Sequence, residues 1–167
     1  MKKFQLGVGL MEVLVALILL AIGVLGFSVL QFRAMEAANE ATERTSAINI
    51  SRDLAERMRL NRLGLADYKT GINEKKKGDD CLASDSTSYT PNCTSQKMAY
   101  YDATEILAKA EESGQTIVIA DCVSSELNCI YVSWGETQIT GSNLSSCVDG
   151  TTGTYVSGSK CQLMEAF

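Results

Sequence analysis

The stretch Gly7-Val8-Gly9-Leu10-Met11-Glu12 leads directly into eighteen residues that carry no charge, Val13–Leu30. As an α-helix, these eighteen residues extend about 27 Å at roughly 1.5 Å per residue, close to the thickness of one hydrocarbon core. The sequence therefore predicts a helix that spans a membrane once. Glu12 stands at the edge of this run, where a carboxylate costs roughly a few kcal/mol unless a positive charge neutralises it.

Other N-terminal signals account for this stretch less well. A secretory signal peptide has a shorter apolar run that ends at small residues, and no such cleavage site follows here. A lipoprotein would need a cysteine after the run, whereas the first cysteine is Cys81. A plain membrane anchor fits the length and the positive charges of Lys2 and Lys3. The anchor therefore remains an alternative, although it leaves Glu12 unexplained.

The stretch resembles the class III signal of type IV prepilins and pseudopilins. In that family a prepilin peptidase cuts after a glycine, the new N-terminal residue is N-methylated, and a glutamate occupies the fifth mature position. The resemblance implies cleavage between Gly7 and Val8, methylation of Val8, and an assembly role for Glu12. Val8 departs from the pattern, because the family most often has Phe or Met there.

The expected role of Glu12 has a physical basis. Cleavage after Gly7 would create an α-amine whose ordinary pKa is about 7.7–8.0, so this amine is largely cationic at neutral pH and stays so when methylated. A buried carboxylate is tolerated when it is paired with a cation. We therefore expect Glu12 of one subunit to pair with the terminal amine of a neighbour, which would also fix their axial stagger.

The composition predicts a structural protein rather than an enzyme. The chain of 167 residues has a net charge of −5 and no histidine, which is the commonest general base and metal ligand. We expect no catalytic residue, cofactor or metal, and the spacing of Asp79, Asp80 and Asp85 fits no EF-hand. Removing residues 1–7 takes away two lysines and changes the net charge to −7. An acidic chain makes nucleic-acid binding possible but not indicated.

Six cysteines lie beyond residue 80, on the side predicted to be outside the cytoplasm. An even number of cysteines in an exported domain predicts disulfides. Sequential pairing is one of fifteen connectivities, and we prefer it because it matches the predicted local turns. The predicted pairs are Cys81–Cys93, Cys122–Cys129 and Cys147–Cys161.

The helix is predicted to continue through residues 31–62 as an amphipathic segment. Small and apolar residues recur at helical spacing on one face: Ala34, Ala38, Ala41, Ile48 and Ala55, with Leu54 and Met58 flanking them. Glu36, Glu40 and Glu43 form the solvated face, and Arg57–Arg62 is predicted to be a solvated basic helix end. No helix breaker occurs before Gly64. The apolar face needs a partner, which we expect to be the chain's own head.

The string from Asp53 to Asn61 resembles the L-A-x-R-M-R-x-N signature of PilV-type minor pilins, also called type IV pilus modification proteins. The string Cys93–Asp102 is similar to the second helix of that family, and Ile130–Trp134 is similar to its strand ending in tryptophan. The resemblance covers about 130 residues. It implies a type IV pilin-like α+β fold, in which a long helical spine packs on a small antiparallel head with a second helix and disulfides.

The head is predicted to comprise residues 63–167. Residues 64–93 are low in apolar content and predict a long surface loop, and Ser95–Glu112 predicts a helix. The expected strands are Thr116–Ala120, a half-buried Asn128–Trp134 and, more weakly, Thr152–Val156 and Cys161–Met164. The aromatic residues expected in the core are Tyr100, Tyr101, Tyr131, Trp134 and Tyr155.

The predicted organisation is a leader (1–7), a membrane and assembly half of the spine (8–30), an amphipathic half (31–62) and the head. The resemblance implies a minor pilin, processed by prepilin peptidase in the inner membrane with its head in the periplasm. It would then initiate pilus assembly with other minor pilins, the major pilin and the assembly platform, and support adhesion, twitching motility or DNA uptake at the cell surface. A type II secretion pseudopilin, and a tip adhesin or DNA receptor using Lys75–Lys77, remain alternatives.

Overall fold

The computed structural model describes residues 9–79, 81, 93–123 and 125–166. Gly7 and Val8, the predicted cleavage pair, lie outside these residues, as do Asp80, Asp85 and the rest of the stretch 82–92. The chain divides into two compact units. We call them the spine unit, which ends at Ala41, and the head unit, which begins at Thr42.

Three α-helices are described. Helix α1 runs without interruption over Leu10–Leu60, and a short 3-10 helix, Arg62–Gly64, separates it from α2, Leu65–Asn73. Helix α3 covers Ser95–Glu112, where the Thr94 side chain accepts a hydrogen bond from the Lys97 N–H and caps the N-terminus. Gly114 follows α3 with a φ of 65°, a left-handed conformation that suits glycine at a helix end.

The strands form one antiparallel sheet in the order β1-β2-β3, with β1 at Gln115–Asp121, β2 at Asn128–Trp134 and β3 at Cys161–Glu165. Strand β2 lies in the centre, with Ile117 opposite Val132 on β1 and Cys129 opposite Glu165 on β3. The prediction of a half-buried β2 is wrong, because both of its faces are covered. One face packs on the helices, and the other on a cluster that includes Ile139, Cys147 and Val148.

The covered part of α1 begins later than the sequence indicates. Ala34, Ala38 and Ala41 are exposed, although they were expected to lie on the covered face. The buried residues of α1 recur at intervals of three and four and include one polar residue: Ala47, Ile50, Ser51, Leu54, Ala55 and Met58. This spacing is that of one helix face, and it presents small residues beside large ones to the head core.

Helix α2 corrects the prediction that residues 64–93 are a surface loop. Tyr68 and Ile72 are 0% and 1% exposed and belong to the same core as α1 and α3. A Cβ at Gly71 would lie 2.9 Å from the Ala103 Cβ, so glycine lets α2 approach α3 closely. The sequence did not predict this helix because only three of its nine residues are buried, too few to give a clear helical pattern.

Segment Thr152–Val156 does not form the predicted strand. It contributes a single antiparallel bridge between Tyr155 and Val148. Tyr155 is 51% exposed, so its expected place in the core is wrong, whereas Tyr131 and Trp134 are buried as predicted. Tyr100 and Tyr101 are half-buried.

Three disulfides cross-link the head unit, with Cα–Cα distances of 5.6 Å for Cys81–Cys93, 5.0 Å for Cys122–Cys129 and 5.8 Å for Cys147–Cys161. The sequence predicts the same pairing. The second bridge closes the β1–β2 hairpin, and the third joins the long segment before β3 to that strand. The third bridge therefore constrains a part of the chain that has little regular structure.

Candidate assembly site

Glu12 lies in the first turn of α1. Its backbone N–H donates to the Gly9 carbonyl oxygen at 2.9 Å, and the Val13 N–H donates to the same oxygen at 3.3 Å. The helix is therefore already formed at Glu12. An acidic side chain in the first turn interacts favourably with the positive end of the helix dipole.

The apolar residues that follow Glu12 are exposed. From Val13 to Leu30, the large apolar side chains are between 46% and 68% exposed. By length and composition, α1 is the one described helix that can cross a membrane. An apolar surface of this length is unstable in water, so lipid or other helices must cover it.

The motif Asp53–Asn61 joins the three helices of the head unit. Arg57, at its centre, contacts two carboxylates: its Nη1 lies 2.5 Å from Asp102 Oδ1 and its Nε 2.8 Å from Asp53 Oδ1. The second Asp102 oxygen accepts a hydrogen bond from the Tyr68 hydroxyl of α2. Lys109 Nζ completes the group at 2.6 Å from Asp53 Oδ2. We call these five residues the charged cluster.

The charged cluster corrects the prediction that Arg57–Arg62 is a solvated helix end. The Arg57 side chain is only 26% exposed, whereas that of Arg59 is 58% exposed and pairs with Glu56 at 3.2 Å. Sequence reasoning missed Arg57 because its partner Asp102 lies 45 residues away. Both residues nevertheless occur in the strings that carry the family resemblance.

Burial and neighbouring charges act in opposite directions on two members of the charged cluster. Burial alone would lower the pKa of Arg57, but hydrogen bonds and attraction from Asp53 and Asp102 raise it above its ordinary value. Burial alone would raise the pKa of Asp53, but Lys109 and Arg57 lower it. Both groups are therefore held in their charged forms.

Tyr68 is held in its neutral form. Burial is the main cause, and the hydrogen bond to Asp102 adds to it, so that the pKa of the Tyr68 hydroxyl lies well above its ordinary value of 10. The hydroxyl is thus a hydrogen-bond donor to Asp102 at every physiological pH.

A second contact joins the same two strings. Asn61 Nδ2 donates to the Ser95 carbonyl oxygen at 2.7 Å, which fixes the end of α1 against the first turn of α3. The apolar residues of the signature, Leu54, Ala55 and Met58, are buried in the core between the helices and the sheet. The signature therefore positions the head on the second part of α1.

Residues 29–104 match the family model described as "Tt1218-like: Type IV pilin Tt1218". The match covers slightly less than half of the chain and includes the charged cluster apart from Lys109. The long helix, the small antiparallel sheet and the disulfides agree with it. The fold is type IV pilin-like.

The family match supports a type IV pilin, and therefore a structural, non-enzymatic role in association with other pilus components. It begins beyond Gly7, Val8 and Glu12, so the roles of these residues stay predictions. Searches of curated protein sequences and of solved structures found no significant match. Within the described residues, no group of three His, Cys, Asp or Glu side chains is placed to hold a metal ion.

Proposed function

We propose that this protein is a minor pilin of a type IV pilus, similar to the PilV type. The observation that carries the proposal is the exposed, uncharged helix surface after Glu12, on a chain whose residues 29–104 match a type IV pilin family. A head unit with its own core does not need this surface, so the surface is available for lipid and then for neighbouring pilins. The long helix is thus an anchor first and an assembly element second.

The proposed maturation begins in the inner membrane. Prepilin peptidase cleaves between Gly7 and Val8, Val8 is N-methylated, and the head unit lies in the periplasm. Lys2 and Lys3 support this orientation, since positive charges remain on the cytoplasmic side. The three disulfides fit an oxidising compartment.

In the proposed assembly step, the subunit leaves the bilayer and joins other minor pilins, at or near the tip, to initiate the pilus. Glu12 then pairs with the α-amine of a neighbouring subunit, so that neither charge remains alone among apolar helices. Adhesion, twitching motility or DNA uptake would follow from the pilus that this step starts.

Replacing Glu12 with Leu separates this proposal from a plain anchor. As an anchor, Glu12→Leu improves insertion by roughly a few kcal/mol and leaves function intact. As an assembly element, it leaves a neighbour's amine without its counter-charge, so the processed protein is lost from sheared pili. Glu12→Asp should recover incorporation in part, because its carboxylate is one methylene shorter. Glu36→Leu is the control, since Glu36 is an exposed residue of the same helix and pairs with Arg33 in its own turn.

The readout is the amount of processed protein in sheared pilus fractions, beside its amount in the inner membrane. Wild-type incorporation of the Glu12→Leu protein would refute the assembly role. Gly7→Leu should instead block cleavage and leave full-length precursor in the membrane. A deletion strain that keeps normal pili but loses protein secretion would favour the pseudopilin alternative.

A further inference from the structure

The two outer strands of the sheet expose their backbone groups in a regular alternation. The Cys122 N–H donates to the Leu127 carbonyl at 2.8 Å, just beyond the register that pairs β1 with β2. By the antiparallel alternation, Ile119 then points its N–H and C=O away from β2. On the other side of β2, the Trp134 N–H donates to the Lys160 carbonyl, just before the register that pairs β2 with β3. The same alternation therefore points the N–H and C=O of Leu163 away from β2.

At the β1 edge, both outward groups of Ile119 are occupied by one side chain. Asn73 Nδ2 donates to the Ile119 carbonyl at 2.7 Å, and Asn73 Oδ1 accepts from the Ile119 N–H at 3.0 Å. The amide thus takes the place of a neighbouring strand. Asn73 is the last residue of α2, and a Cβ at Gly141 would lie 2.7 Å from its Nδ2, so glycine leaves room for this amide.

At the β3 edge, two side chains occupy the outward groups of Leu163, the middle residue of the strand. The Leu163 N–H donates to the Tyr155 hydroxyl at 3.1 Å, and Gln162 Nε2 donates to the Leu163 carbonyl at 2.9 Å. This use of Tyr155 accounts for its position outside the core, where the ring is half exposed. At each edge, therefore, one central residue of the outer strand has both of its outward backbone groups occupied by polar side chains of the same chain.

An open sheet edge is a template for strands of other chains, and it leads to unwanted pairing when proteins meet at high local concentration. We propose that Asn73, Tyr155 and Gln162 determine assembly specificity by preventing the sheet edges of this head from pairing with the same edge of a second copy. The blocking itself does not require the pilin proposal. Its benefit rests on that proposal, because subunits that gather before assembly should associate through α1 and not through their sheets.

The β3 edge offers the sharper test, because its two blocking side chains lie near the surface. In full-length protein in detergent, with micelles in excess, the double variant Tyr155→Phe/Gln162→Ala removes both hydrogen bonds. The matched control is Tyr100→Phe/Gln96→Ala, since these two residues share Asp67 as their acceptor on α2. Sedimentation should show wild type and control as monomers, and at least about tenfold more dimer for the β3-edge variant at the same concentration.

Hydrogen exchange of the Leu163 amide supplies the second readout. In dilute double variant this amide should exchange roughly five- to tenfold faster than in wild type, as expected for one lost hydrogen bond. It should become protected again as the dimer forms. Asn73→Ala should produce the same two changes at Ile119, and Trp134 fluorescence verifies that each variant is folded.

Two results would overturn the inference. If the Leu163 amide exchanges faster while the double variant stays as monomeric as wild type, the hydrogen bonds of Tyr155 and Gln162 do not prevent a second copy from pairing with β3. If Leu163 exchange in the folded variant is unchanged, Tyr155 and Gln162 do not occupy the edge in solution.

Discussion

Leu19 and Leu54 are the same residue type in one continuous helix, yet Leu19 is 64% exposed and Leu54 is completely buried. The spine unit presents apolar side chains outward, whereas the head unit has a buried apolar core and three disulfides. Both parts of α1 are α-helical. The difference shows that one part of a helix can be stabilised by the core of its own domain, while another part needs lipid or other helices to cover its apolar side chains.

The largest expected effect is a direct test of this difference. Leu54→Ala should lower the free energy of unfolding of the head unit by about 3–5 kcal/mol, since a buried leucine leaves a cavity. Leu19→Ala, the same change in the spine unit, should change the free energy of unfolding of the head unit by less than about 0.5 kcal/mol. The measurement is denaturant unfolding of full-length protein in detergent, followed by the fluorescence of the single tryptophan, Trp134, which is buried in the head.

Equal losses in the two variants would mean that the spine unit contributes to the head's cooperative unfolding. Leu19→Ala is instead expected to weaken insertion in the membrane, because it removes apolar surface that contacts lipid.

The disulfides should affect only the head unit. Replacing Cys147 and Cys161 together with Ala opens a loop of 14 residues and should cost about 3 kcal/mol. Protease protection of the membrane-embedded part of α1 should not change. Mass mapping of unreduced peptides verifies that the other two bridges still form. A rearranged pairing in the variant would show that they do not form independently of Cys147–Cys161.

Features that depend on residues close together in the sequence were predicted correctly, whereas contacts between residues far apart in the sequence were not. The bounds of α3 and β2 coincide with the prediction, because Thr94, Gly114 and the apolar spacing are local signals. The pilin-like α+β fold is confirmed for the same reason, since the long helix is continuous in sequence.

The contacts that decide the head's interior are long-range, and these were missed. Helix α2 has only a short buried face, and the pairing of Arg57 with Asp102 spans 45 residues. Nor does any pattern predict that Asn73 would reach β1. The assembly roles of Gly7, Val8 and Glu12 remain predictions from the signal and the family resemblance.

A smaller effect on stability is expected within the head unit, where buried and exposed members of the charged cluster can be compared. Asp102→Ala leaves the Arg57 guanidinium and the Tyr68 hydroxyl without a shared acceptor. The expected loss is about 2 kcal/mol, below the cost of breaking a fully buried pair, because the Arg57 side chain is 26% exposed. Lys109→Ala removes a partner that is 47% exposed and should cost less than about 1 kcal/mol.

The double variant Arg57→Ala/Asp102→Ala completes a cycle. Its cost should be smaller than the sum of the two single costs, since each single change leaves the other partner uncompensated. Additive costs would show that the two residues do not interact in solution.

The smallest effect concerns pH, and it too should be confined to the head unit, because all six tyrosines lie beyond Ala41. Burial and Asp102 raise the pKa of Tyr68 above 10, so folding favours the protonated hydroxyl. The resulting stability is complete well below pH 10 and is lost as the pH rises through that value, where the unfolded chain releases the proton first. Between pH 9.5 and pH 10.5, the free energy of unfolding should fall by about 0.7 kcal/mol through this residue alone.

Tyr68→Phe isolates that contribution. The variant should be less stable than wild type at pH 8, because Asp102 loses a hydrogen-bond donor, but the gap should narrow by about 0.7 kcal/mol between pH 9.5 and pH 10.5. Other titrating groups, including Tyr131, whose pKa burial also raises, are present in both proteins and cancel in the difference. A gap that stays constant across this pH range would show that Tyr68 has the same pKa in the folded and unfolded chain, and that its hydroxyl is not enclosed between α1, α2 and α3.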